Sequence, residues 1–215
     1  MKPAERKAAF ERARLYLVAP GEFPTDALQS VIEAGVDVVQ LRMKDAEPSE
    51  ILEIGDAFMH VCNDCAVPFI VNDRPDIALA LDADGVHLGQ DDLPPRVARD
   101  ILGPHAIIGR STHSEADIEK GRAEHEDGFA DYLVAGPIHP TPTKLGRPGT
   151  GLQLIEYAAQ KIDAPWFAIG GIDPSNAYEV TKAGAKRFVV VRAIIEADDP
   201  IAATKALRDE LPDAP

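Results

Sequence analysis

Short β-branched and apolar runs alternate along this chain with longer segments in which an apolar residue returns every three or four positions. The runs read as strands at 15–18, 37–41, 68–71, 85–87, 106–109, 132–135, 166–169 and 187–191. The intervening segments read as helices at 25–34, 49–62, 75–81, 94–101, 114–126, 152–161, 174–183 and 200–211. In the second of these, Ile51, Ile54, Phe58 and Val61 are spaced to share one face. Helix starts are signalled by Ser49 before Glu50, by the run Thr112-His113-Ser114-Glu115, and by Asp173-Pro174. Ala34-Gly35 and Ala183-Gly184 mark helix ends just before the next strand.

Regular alternation of strand and helix, repeated across the length, predicts a (β/α)8 TIM barrel in the α/β class, with residues 1–215 as a single domain. A doubly wound open sheet is the rival. It would favour a glycine-rich turn after the first strand, where this chain has Ala19-Pro20-Gly21-Glu22-Phe23. The barrel makes a specific demand: polar residues at the C-terminal ends of different strands must belong to one site.

Charge narrows the choice of partner. With 22 Lys and Arg against 36 Asp and Glu among 215 residues, the formal net charge is −14, which argues against coating a nucleic-acid backbone. Two cysteines cannot provide a disulfide framework. No apolar run is long enough for a transmembrane helix, and the run LYLVAP is too short for a signal segment, so no membrane association and a cytoplasmic location are expected. Net charge does not describe a pocket, however, and a few cations gathered locally still hold an anion.

The strand ends supply such a gathering. Arg42 and Lys44 follow the second strand, Lys144 follows the sixth and Arg192 follows the eighth; Ser111, Thr141 and Thr143 add neutral donors. Together they suit a polyanion such as pyrophosphate. Asp73 and Asp92 end neighbouring strands and read as a Mg2+ clamp, since a hard cation takes oxygens from carboxylate and phosphate alike. Each also has a plainer reading, Asp73 as a helix cap and Asp92 as a turn residue. The proline- and threonine-rich segment 140–148 is long for a strand-to-helix connection and reads as a lid. Gly170-Gly171 lets backbone N–H groups approach an anion, and the segment near Arg192 is placed to add a short helix beside it. Cys62 and Cys65 read as incidental thiols, and Trp166 as core packing.

The stretches QLRMK at 40–44, NDR at 72–74, GVHLGQDD at 85–92, GRSTH at 109–113, DYLVAGPIHPTPTK at 131–144, AIGGI at 168–172 and VVRAI at 190–194 resemble the thiamine phosphate synthase family in order and separation. The resemblance implies transfer of a hydroxymethylpyrimidine group from its diphosphate to a thiazole phosphate, releasing pyrophosphate with the help of Mg2+. It implies that Gln40 recognises the aminopyrimidine, that Arg42, Lys44, Asn72, Ser111 and Lys144 hold pyrophosphate, and that Asp73 and Asp92 hold the metal. Lys144, Ser111 and Arg42 would be the catalytic groups. Thr141 and Thr143 would contact the thiazole side or the nearby phosphate, Gly171 would bind the thiazole phosphate, and a homodimer is expected at family level only. One position departs from the family's pattern: Arg192 stands where serine is usual. It either strengthens phosphate binding through a bidentate contact or fills the pocket. Two other readings stay open. A thiazole tautomerase-like isomerase would need His87, His113 or His139 as acid/base, and a non-enzymatic barrel would only bind a phosphorylated ligand.

Overall fold

Eight parallel strands close on themselves in chain order in the computed structural model, which describes residues 3–139 and 149–212, the side chains of residues 3 and 4 excepted. They are β1 (Leu15–Ala19), β2 (Val38–Leu41), β3 (Phe69–Asn72), β4 (Gly85–Leu88), β5 (Ile107–Thr112), β6 (Tyr132–Ala135), β7 (Trp166–Ile169) and β8 (Phe188–Val190). The helices are α1 (Pro3–Arg12), α2 (Thr25–Glu33), α3 (Pro48–Asp64), α4 (Pro75–Ala80), α5 (Pro95–Leu102), α6 (Glu115–Glu126), α7 (Gly151–Lys161), α8 (Ala177–Lys182), α9 (Arg192–Ile195) and α10 (Pro200–Asp209). The barrel predicted from the alternation is therefore the fold.

The strands are apolar on both faces because both are covered. Tyr16, Val18, Val38, Ile70, Ile107, Tyr132, Val134, Phe167 and Val189 fill the barrel interior. Leu15, Leu17, Val39, Leu41, Val71, Val86, Leu133 and Val190 point outward to the helices, which meet them with Leu28, Phe58, Ile118, Ile155 and Val180. Adjacent residues of one strand thus serve different cores, as the period of two requires.

Four local expectations are corrected. The charge-rich N-terminus forms α1, which no strong apolar stripe announced. Its anchor is Phe10, 2% exposed and stacked at 4.6 Å from Tyr132 and 5.8 Å from Phe167, so the helix closes the N-terminal floor of the barrel. Arg6 pairs with Asp84 at 2.6 Å and Lys7 with Asp131 at 3.0 Å. In α3 the buried stripe is Ile51, Gly55, Phe58 and Cys62, with Ile54 and Val61 on its edge, and the helix starts at Pro48 rather than after Ser49. Asp173 and Pro174 form a turn ahead of α8, with Ser175 N donating to Asp173 Oδ1 at 2.8 Å. β5 runs on to Thr112, so Arg110 and Ser111 lie within the strand. The Ser114 cap holds, its Oγ accepting from Asp117 N at 3.1 Å.

Candidate active site at the C-terminal mouth

The ends of β2 to β5 enclose a compartment of about 320 Å³. Beside apolar residues of the barrel interior such as Val18 and Val134, its lining includes the polar Gln40, Arg42, Lys44, Asn72, Asp73, Asp92 and Ser111. All seven were singled out in the sequence, and the closed sheet brings them together from four strands. Gln40 and Asn72 point inward from adjacent strands, and Gln40 Nε2 donates to Asn72 Oδ1 at 3.0 Å. That leaves the Gln40 carbonyl oxygen and the Asn72 amide protons for whatever occupies the mouth. Arg110, one residue before Ser111, points the other way. It is 2% exposed, donates to the carbonyl of Gly89 and to Gln90 Oε1, and pairs with Glu124 of α6 at 3.3 Å. Its guanidinium thereby buttresses the turn that carries Asp92.

Asp73 does not cap α4, whose flanking residue is Arg74 without any side-chain cap. Its backbone sits in the left-handed region at φ 62°, which an aspartate tolerates at a cost, and its N–H donates to the His87 carbonyl at 2.8 Å. Lys44 Nζ lies 3.3 Å from its Oδ2. Burial pushes the Asp73 carboxyl above the usual range, and Asp92, hydrogen-bonded to it, pushes it further; Lys44 pulls in the opposite direction. Asp92 serves its turn as well, accepting from Gly89 N at 2.6 Å through Oδ2. Among the described residues no group of three or more His, Cys, Asp or Glu side chains is arranged to hold a metal. The Asp73–Asp92 pair nevertheless fits a hard cation. Two carboxylates in contact repel when ionised, and a divalent cation held by the pair would remove that repulsion.

The ends of β7 and β8 enclose a second compartment of about 350 Å³, lined by Gly170, Gly171, Ile172, Val190, Arg192 and Glu196 among others. Gly170 and Gly171 adopt φ 110° and 68°, and a Cβ on Gly171 would stand 2.9 Å from the Cβ of His139. Arg192 opens α9 and is exposed at the compartment's edge. His113, Ile169, Val189 and Val191 line both compartments, so the two are parts of one mouth.

Thr141, Thr143 and Lys144, with the whole expected lid at 140–148, lie outside the described residues. Cys62 is buried and Cys65 partly so, both near the end of α3 and outside the linings of the two compartments. Burial pushes the Cys62 thiol up, which makes it inert. Trp166 is half-buried against the outer core. Gln90 and Asp173 carry no site role in the sequence motifs, yet Gln90 Nε2 donates to the Ser111 carbonyl at 2.5 Å and Asp173 lines the second compartment. Gln90 lies inside the stretch 85–92 and Asp173 directly follows the stretch 168–172, and those positions are the signal for both.

Fold and mouth together define a parallel (β/α)8 barrel whose strand ends join a charged compartment to a glycine-lined one. Residues 15–194 match the model of the family described as thiamine monophosphate synthase. The thiamine-phosphate synthase of Acidothermus cellulolyticus is 50% identical over 200 residues, covering 90% of this chain and 92% of that one. That of Nostoc sp. is 43% identical over 208 residues, covering 96% of this chain but only 58% of the longer Nostoc protein. A solved structure, the thiamine phosphate pyrophosphorylase from Pyrococcus furiosus, superposes with a TM-score of 0.81 at 34% identity over 96% of each chain. The chain belongs to the thiamine monophosphate synthase family.

Proposed function

We propose that this mouth joins hydroxymethylpyrimidine diphosphate to thiazole phosphate, giving thiamine phosphate and pyrophosphate. The observation that carries the reading is the shared wall: a compartment suited to a diphosphate opens through His113, Ile169, Val189 and Val191 into one suited to a second phosphorylated ring. In the first, the Gln40 carbonyl accepts from the amino group of the pyrimidine. Arg42, Lys44, the Asn72 amide and the Ser111 hydroxyl surround the diphosphate, and Lys144 joins them in this reading. The Asp73–Asp92 pair would hold Mg2+, which when bound supplies positive charge to diphosphate oxygens.

The chemistry places its demand on charge. The C–O bond between the pyrimidine methylene and the diphosphate breaks, and its electron pair leaves with pyrophosphate. The thiazole nitrogen donates its lone pair to the cationic methylene, forming the new C–N bond. No protein group must remove a proton for that attack. The residues instead stabilise negative charge that grows on the leaving group and exclude water that would capture the cation. Arg42 and Lys44 serve the leaving oxygens. Gly171 offers its N–H to the thiazole phosphate, with the Arg192 guanidinium beside it in place of the family's usual serine.

An isomerase of the tautomerase type would leave the charged compartment without a task, and a mere binding barrel would leave the joined compartments without one. The same reading takes residues 1–215 as one domain of a cytoplasmic homodimer that acts on small phosphorylated heterocycles and binds neither membrane nor nucleic acid. Among the described residues no helix is long and apolar enough to cross a membrane. Incubating the purified protein with both substrates and Mg2+ should yield thiamine phosphate and pyrophosphate in equal amounts. Absence of product at saturating substrates would sink the reading.

A further inference from the structure

Beneath Ser111 a chain of buried polar groups runs down into the barrel. His87 Nε2 lies 2.9 Å from Ser111 Oγ, His87 Nδ1 lies 3.1 Å from Tyr132 Oη, and Tyr132 Oη lies 3.0 Å from Tyr16 Oη. Both tyrosines are fully buried, and His87 is 8% exposed. The register explains how the groups meet. His87 of β4 is level with Gly109 of β5, and Gly109 is level with Tyr132 of β6. A Cβ on Gly109 would stand 2.1 Å from Tyr132 Cζ and 2.5 Å from His87 Nδ1, so the missing side chain is the space through which imidazole and phenol touch. Ser111 is two residues further along β5 on the same inward face.

Counting protons fixes what such a chain can do. With the imidazole neutral, as the proposal takes it, the two phenols, the ring and the hydroxyl carry four protons, and three contacts consume three of them. Burial holds both phenols protonated. Three arrangements satisfy every link, one with the Nε2–H tautomer of His87 and two with the Nδ1–H tautomer. In one, Tyr16 donates to Tyr132, Tyr132 donates to His87 Nδ1, His87 Nε2–H donates to Ser111 Oγ, and the spare proton is that of the Ser111 hydroxyl, aimed into the mouth. In the other two, His87 Nδ1–H donates to Tyr132, the phenols pair in either direction, Ser111 gives its proton to His87, and the mouth is offered only a lone pair. An anion above Ser111 is stabilised by the first and repelled by the others.

We propose that His87 is a positioning residue: Tyr16 and Tyr132 lock it in the Nε2–H tautomer, and it in turn frees the Ser111 proton for the departing pyrophosphate. The proposal rests on the reading that Ser111 faces the diphosphate. It assigns His87 no proton transfer, since the ring acts through Ser111 alone. It also gives the buried tyrosine pair a function that the apolar interior does not itself require, because an uncompensated hydroxyl costs more there than a phenylalanine would.

A double-mutant cycle tests the link. Tyr132→Phe keeps the ring packed on Phe10 and Phe167 but removes the donor to His87. It should lower kcat by about tenfold with little change in the KM for the diphosphate substrate, because the lost donation matters most as charge develops. In a Ser111→Ala background the same substitution should have almost no further effect, whereas a merely structural role would act equally in both. A Ser111→Ala enzyme with unchanged kinetics overturns the diphosphate reading of Ser111. A slowed Ser111→Ala enzyme with additive effects overturns the relay alone. Nitrogen-15 NMR of the wild-type protein with inorganic pyrophosphate and Mg2+ gives an answer that depends on no variant. His87 should show a protonated Nε2 and an acceptor Nδ1; the opposite tautomer overturns the proposal.

Discussion

In the proposed reading, the two compartments of the mouth hold anionic groups with different parts of the chain. Around β2 to β5 the walls are charged and amide side chains, held by specific partners: Gln40 by Asn72, Asp73 by Lys44 and Asp92, and Ser111 by His87. Around β7 and β8 the walls are Gly170, Gly171 and apolar residues, with His113, Asp173, Arg192 and Glu196 as the polar side chains. Where charge changes during a reaction, strong and individually placed groups are needed, and side chains deliver them. Where a phosphate only has to be held, exposed N–H groups of glycine suffice, since no Cβ keeps the anion away. The difference predicts that damage to the first compartment falls on rate and damage to the second falls on affinity.

The hardest blow to this contrast is Arg42→Met. In the proposed reading its guanidinium faces the leaving group, so its loss should cost about 10²- to 10³-fold in kcat/KM, as removal of a preorganised charge partner does. Steady-state kinetics should show the KM for thiazole phosphate almost unmoved; a matching rise in that constant would erase the division of labour. Asp92→Asn comes next. It should raise the Mg2+ concentration needed for half-maximal rate by about 10- to 100-fold, checked by a metal titration at saturating substrates. In the other compartment, Gly171→Ala forces a side chain into φ 68° and against the Cβ of His139 at 2.9 Å. With strain of about 1–3 kcal/mol at that site, the KM for thiazole phosphate should rise about tenfold while kcat at saturation stays close to normal. Arg192→Ser is the mildest change. An exposed cation contributes about 1 kcal/mol or less, so affinity for thiazole phosphate should fall by no more than about fivefold, measured by calorimetry, with diphosphate binding intact. Unchanged thiazole phosphate affinity removes Arg192 from the site.

Legibility differed between the compartments for a physical reason. Arg42, Lys44, Asp73 and Asp92 are conspicuous because charged residues directly after apolar strands need explaining. Gly171 was visible only through its pairing with Gly170. The partners that hold the visible residues were less legible. Arg110, one residue before Ser111, points outward to Glu124 and steadies the turn bearing Asp92. Direction within β5 depends on where the strand ends, and it extends past the expected boundary to Thr112. Helix α1 escaped notice because its stability comes from Phe10 docking on Tyr132 and Phe167, contacts made only once the barrel has closed.

By itself the sequence determined the strand-and-helix alternation, which with the turn after the first strand predicts a barrel over an open sheet, and the strand-end positions of Gln40, Arg42, Lys44, Asn72, Asp73, Asp92 and Ser111. Those outcomes rest on local periodicity, which each segment carries alone. The tertiary structure decided how those residues face one another: that Asp73 and Asp92 share one environment, that the two compartments join through His113, and that His87 reaches Tyr132 across the empty place at Gly109. Such contacts depend on the lateral register of strands far apart in the chain. A register is fixed only by closing the whole sheet, and no single segment contains it.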